Sequence, residues 1–228
     1  MRIDVAFTPA EDGRAEVGVV VDVMRATSTI AQALESGYER VLCCAEVADA
    51  RALKDELGDA ILGGERNAVR IEGFDAGASP REFLEPRASR LILSTTNGTR
   101  TILEAVSRCE EVLLGSLLNL GAVATAVRER GQDAVVLCAG FQGAFAIDDA
   151  YCAGRIVRAL EGATPTDAAI ASGVIADRFP RPIDGINART YGPPGLEADI
   201  EWCSQVDTVT TVPRFSRMVG PAAEIVAS

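Results

Sequence analysis

The chain has 228 residues, 48% of them hydrophobic, enough for one compact domain that buries roughly 70% of the surface its unfolded form exposes. Its formal net charge of −11 argues against a nucleic acid or an anionic membrane as partner, and no stretch reaches the ~20 apolar residues that would cross a bilayer. Histidine is absent, which removes a histidine triad, a phosphohistidine nucleophile and every histidine-based zinc site.

At the start, Asp4 interrupts any basic-then-apolar signal pattern, so a cytoplasmic location is expected. Short β-branched runs at 17–21, 40–44, 60–62, 90–93, 111–114 and 134–138 predict buried strands. Segments of helical period alternate with them at 27–36, 46–57, 99–106, 118–130 and 148–160, and a further helix is predicted over 166–179. This alternation implies an α/β fold, a mainly parallel sheet with helices on both faces in three α/β/α layers. After residue 179 the composition turns rich in proline and glycine. Residues 180–195 read as loop, and 206–212 as an edge strand, part of a small lobe over about 180–228, or a homodimer contact. The six cysteines form no C-x-x-C pair and read as buried free thiols.

Open parallel sheets bind ligands beyond the carboxyl ends of their strands, so the residues just after each predicted strand carry the functional reading. In VVVDVMRATST (19–29), Asp22 ends a strand and Arg25, Thr27 and Ser28 open a helix. A carboxylate there suits a hard cation and the helix amides suit an anion, although a simple helix cap paired with Arg25 is the competing reading. Gly63-Gly64-Glu65-Arg66-Asn67 reads as a flexible turn that brings a second acid and a second arginine to another strand end. Ser94 to Arg100 packs Thr95, Thr96, Asn97 and Arg100 around Gly98, a composition suited to phosphate or sulfonate oxygens and also to an elaborate cap. Gly140 lies in a glycine loop that leads to Asp148 and Asp149, paired acids in a first helical turn.

Three phosphoryl chemistries are excluded. Met24 stands where a haloacid-dehalogenase D-x-D motif needs its second acid. Ala144 stands where a cysteine-phosphatase loop needs arginine after Cys138. The only lysine, Lys54, lies outside any G-x-x-x-x-G-K context. With arginine supplying every other side-chain cation, small anions are the expected ligands.

The segments VVVDVMRATSTI, GGERNAVRIEGFDAGASP, LILSTTNGTRTI, GSLLNLGAVA, VVLCAGFQGAFAIDDAYCAG and GLEADIEWCSQVDTVTTVP occur in that order over nearly the whole chain. Together they resemble the 2-phosphosulfolactate phosphatase family of coenzyme M biosynthesis. The resemblance implies an α/β fold, Mg²⁺ as cofactor, and hydrolysis of (R)-2-phospho-3-sulfolactate to 3-sulfolactate and phosphate. It places the family's signature residues on Asp22, Arg25, Glu65, Arg66, Asn97, Arg100, Asp148 and Asp149, and implies an asparagine where this chain has Ala78. On this footing Asp22, Glu65 and one of Asp148 or Asp149 are expected to hold Mg²⁺. Arg25, Arg66 and Arg100 are expected to clamp the substrate's anionic groups, with Ser28, Thr95, Thr96, Asn97 and Gly140 beside them. Two routes stay open: an acid activates water, or Asp22 attacks phosphorus. A phosphatase for another phosphorylated carboxylic acid and a non-catalytic anion binder are the alternative functions.

Overall fold

A computed structural model of the chain describes residues 1–192 and 194–228. The first half of the chain supplies strands β1 (Arg2–Ala6), β2 (Val17–Val21), β3 (Arg40–Cys43), β4 (Ala60–Arg66), β5 (Val69–Arg70) and β6 (Arg90–Ser94). The second half supplies β7 (Glu111–Gly115), β8 (Ala134–Cys138), β9 (Thr164–Pro165), β10 (Pro213–Val219) and β11 (Ala222–Ala227). Helices α1 (Ala26–Glu35), α2 (Val47–Leu57), α3 (Gly98–Arg108) and α4 (Leu120–Arg130) lie between the strands. Helices α5 (Ile147–Ala159), α6 (Asp167–Arg178), α7 (Pro182–Ile186) and α8 (Glu197–Cys203) follow.

All the strands join one sheet in the order β5-β4-β6-β3-β11-β10-β7-β2-β8-β1-β9. Two parallel blocks make it up: β4, β6 and β3 in one, and β7, β2, β8 and β1 in the other. β2 and β8 are buried along their whole length, as parallel strands covered on both faces must be. Val20 and Leu114 of one block meet Val41 and Leu91 of the other, around Ile30 of α1 and Ile102 of α3. On the second block's other face, Val19, Leu113 and Val136 pack against Val123, Tyr151 and Ile156. Leu42 and Ile92 pack against Leu53 of α2. The expected α/β architecture, a mainly parallel sheet with helices on both faces, is therefore what the chain adopts. Among the described residues no helix is long and apolar enough to cross a membrane.

The end of the chain departs from expectation. Residues 206–212 form no strand, because their amides bond to a loop and a side chain rather than to a ladder: Asp207 N–H donates to Leu117 O, Val209 N–H to Leu118 O, and the Thr210 and Thr211 amides to the Glu35 carboxylate. The strands come immediately afterwards, and they lie at the centre of the sheet, not its edge. β10 and β11 form a hairpin about Gly220-Pro221 that pairs antiparallel with β7 on one side and β3 on the other, joining the two blocks. β11 reads poorly as a strand because it opens Ala-Ala-Glu. Glu224 is tolerated there because Arg40 and Arg217 both bind its carboxylate. β1 also escaped the sequence reading, although Ile3 and Val5 alternate inward.

Gly63 and Gly64, expected in a turn, are instead interior to β4. A side chain at Gly64 would lie 2.2 Å from Ser94 O, so the close approach of β6 requires glycine. The turn itself is Asn67-Ala68, both at positive φ, which closes the β4–β5 hairpin.

Candidate active site

The carboxyl ends of β2, β4 and β6 meet at one cleft. Asp22 follows β2, is only 8% exposed, and accepts the Ala26 amide of α1 on Oδ1 at 3.3 Å. Thr27 holds its backbone from both sides, donating its hydroxyl to Asp22 O and accepting Asp22 N–H on Oγ1. Gly98 at the start of α3 faces the other oxygen: a Cβ there would lie 2.4 Å from Asp22 Oδ2. The Asp22 pKa is nevertheless pushed up to about 7. Burial is the main cause, and the Glu65 and Asp148 carboxylates add to it against the Ala26 and Gly98 amides.

Asp148 and Asp149 open α5 and are both buried, at 2% and 4% exposure. Burial raises both pKa values, that of Asp149 well above the usual range with Asp148 and Asp22 adding repulsion. The oxygens of Asp149 accept Val23 N–H at 2.9 Å and Gly140 N–H at 3.0 Å, tying the loop after β2 to the loop after β8. Asp148 Oδ1 accepts the Tyr191 hydroxyl and its neighbour's amide. Glu65 spans two loops, accepting Thr96 N–H at 2.7 Å and the Thr96 hydroxyl at 3.0 Å on one side and Ala68 N–H at 2.6 Å on the other. Among the described residues none of these four acids ion-pairs with an arginine.

The cleft encloses about 350 Å³. Asp22, Arg25, Glu65, Thr95, Thr96 and Asn97 line it from the sites expected. Arg25 is already engaged: Nη1 meets Asp199 Oδ2 of α8 at 2.6 Å, and Nη2 reaches Ala68 O at 3.3 Å. The same Asp199 accepts the Ser79 hydroxyl at 2.5 Å, so α8, the 77–80 segment and the loop between β2 and α1 share one buried junction.

The model of the family described as 2-phosphosulpholactate phosphatase matches residues 6–217. This chain belongs to that family. A relative from Gloeobacter violaceus, named probable 2-phosphosulfolactate phosphatase, is 38% identical over 94% of this chain and 95% of its own length. Relatives of the same name from Clostridium acetobutylicum and Thermus thermophilus are 37% and 36% identical, over 95% and 97% of this chain and 98% of each of theirs.

Several residues expected in this phosphatase-family site face elsewhere. Ser28 is fully buried and donates to Val23 O at 2.9 Å, a bond that fixes the start of α1. Gly140 contributes its amide to Asp149 and is not on the cleft surface. Arg66 spends its guanidinium on Glu65 O, Ala45 O and Ser94 Oγ. Arg100 is half exposed and paired with Glu46 at 2.7 Å, outside the cleft. Neither side chain is directed at a ligand here, because each lies beside other acceptors that its long stem reaches first.

The remaining wall comes from residues that sequence reasoning passed over. Phe141 stacks on Tyr191 with ring centroids 4.2 Å apart, and the Gln142 amide donates to Asn97 Oδ1 at 3.2 Å. Arg189, Tyr191 and Leu196 enter from the connection between α7 and α8. They sit in the Pro/Gly-rich stretch, whose composition signals loop and nothing about where the loop goes. Ala78, which replaces the asparagine that the family resemblance implies, also lines the cleft, so that departure falls on its wall.

Among the described residues no three acidic or thiol side chains form a ready-made metal cage. The donor set nonetheless fits Mg²⁺, which takes hard oxygens, keeps several waters and needs only one or two carboxylates. Asp22 and Glu65 both line the cleft, and Asp148 is near enough to Asp22 to raise its pKa. Asp149 fits less well, since backbone amides already occupy both its oxygens.

Proposed function

We propose that this chain hydrolyses 2-phospho-3-sulfolactate to 3-sulfolactate and phosphate with Mg²⁺ as cofactor. The observation that carries the reading is Asp22: a buried carboxylate with no cationic partner among the described residues, facing a cleft at the starts of α1 and α3. The substrate follows from the name the relatives share. Asp22 and Glu65, with Asp148 behind them, would hold Mg²⁺. When bound, the ion offsets charge on the phosphate oxygens.

Asn97, in the turn after β6, donates hydrogen bonds to the phosphate, and Arg25 orients the carboxylate end through guanidinium edges not taken by Asp199. Asp22 then acts as base. It takes a proton from the water that attacks phosphorus, the bond from phosphorus to the ester oxygen breaks, and a proton passes to the departing sulfolactate hydroxyl.

Phosphate release from phosphosulfolactate, measured with Mg²⁺ and with chelator, tests the cofactor; turnover that ignores the chelator sinks the metal assignment. Asp22→Asn should lower kcat by orders of magnitude with an unchanged circular dichroism spectrum. An acyl phosphate trapped by hydroxylamine during turnover would replace the base role with a nucleophilic one.

A further inference from the structure

Resting on that reading, we infer that Arg189 determines specificity by receiving the substrate's sulfonate, the strong-acid group that is not transferred. Of the arginines that the sequence motifs single out, Arg66 and Arg100 do not line the cleft, and Arg25 lies against the Asp199 carboxylate. Arg25 therefore offers hydrogen bonds with little net charge. Arg189 lines the same cleft and, among the described residues, makes neither an ion pair nor a side-chain hydrogen bond. It is the cation in the cleft that no carboxylate engages in a direct ion pair, although the Asp148 carboxylate lies close enough to feel its charge.

Its position favours the non-reacting end of the ligand. The phosphate must meet Asp22 and Asn97 of the turn after β6, both just beyond strand ends. Arg189 comes from the separate connection between α7 and α8. Gly192 gives it room: a Cβ at that glycine would lie 2.8 Å from Arg189 Nη1, so the guanidinium rests against bare backbone. A sulfonate is permanently charged, weakly hydrated and presents three oxygens, which matches a weakly hydrated planar fork better than it matches an ammonium.

The test compares wild type, Arg189→Met and Arg189→Lys. Calorimetry measures binding of 3-sulfolactate and of lactate, which lacks the sulfonate; kinetics compare 2-phospho-3-sulfolactate with 2-phospholactate. Arg189→Met should weaken 3-sulfolactate binding by about tenfold or more and raise KM for phosphosulfolactate to match, with phospholactate kinetics within about twofold of wild type. Arg189→Lys should recover part of the loss. Equal losses on both substrates, no loss on either, or a wild type that binds 3-sulfolactate no more tightly than lactate would each overturn the assignment. A wild type that releases no phosphate from phosphosulfolactate defeats the proposed activity instead, and the calorimetry still decides Arg189.

Discussion

Gly98 has no side chain because Asp22 and Ala26 fill the space where one would go. A methyl at that position would meet Asp22 Oδ2 and Ala26 Cβ, each at 2.4 Å; Ala26 is fixed in the packed start of α1, so the carboxylate is the group that must shift. Gly98→Ala should therefore displace the Asp22 carboxylate, lowering kcat at least tenfold in a phosphate-release assay while the protein still folds. Near-normal kcat would mean that the carboxylate has room to move. At this scale Asp22, Glu65 and Arg25 were legible in the sequence, and the places of Arg66, Arg100 and Arg189 were not. A carboxylate on a short stem stays near its strand end, so Asp22 and Glu65 had to appear in the cleft. A guanidinium on a long stem goes to whichever acceptor lies within reach, and for Arg66 and Arg100 those acceptors are a backbone carbonyl and Glu46. Arg189 carried no motif, because its place in the cleft depends on how the α7–α8 connection runs.

The hairpin of β10 and β11 behaves as a central element and not as an appendage. Ile225 is fully buried between the two parallel blocks, in the cluster that holds Ile30 and Ile102. Ile225→Ala should cost about 2–5 kcal/mol in urea unfolding, as large-to-small changes in a packed core do. A strand at the sheet's edge with one solvated face would lose much less, so a loss under about 1 kcal/mol would contradict the central placement. The parallel strands were readable because burial on both faces leaves unbroken apolar runs such as Val17–Val21. β11 was not, since its central position rests on small residues and on Glu224, neutralised by Arg217 across the hairpin and by Arg40, distant in sequence. The glycine-rich start of 63–67 misled for a related reason: glycines usually mark turns, but here they let two strands approach.

For the whole molecule, the acids around the cleft set a pH dependence. The Asp22 pKa lies at about 7 when folded and near 3.8 when unfolded. A raised carboxyl penalises the folded state when ionised, so the penalty is full above about pH 7 and is relieved as pH falls toward the unfolded value. The metal-free protein should gain thermal stability between about pH 8 and about pH 5.5. Added Mg²⁺ should raise Tm more at the alkaline end, because it binds the ionised form. A Tm that rises with pH over this range without metal, or that ignores Mg²⁺ throughout, would remove the acids as an uncompensated cluster.

The hairpin that joins the blocks also has a consequence for how the molecule is made. Residues 213–227 leave the ribosome after every other strand, yet the sheet needs them between β3 and β7. A growing chain that has reached residue 212 already contains Asp22, Glu65 and the Thr95–Asn97 turn, but the facing edges of β3 and β7 have nothing to pair with. Those open edges are the vulnerable surface of the unfinished protein, where a chaperone would be expected to bind and where two nascent chains could pair wrongly.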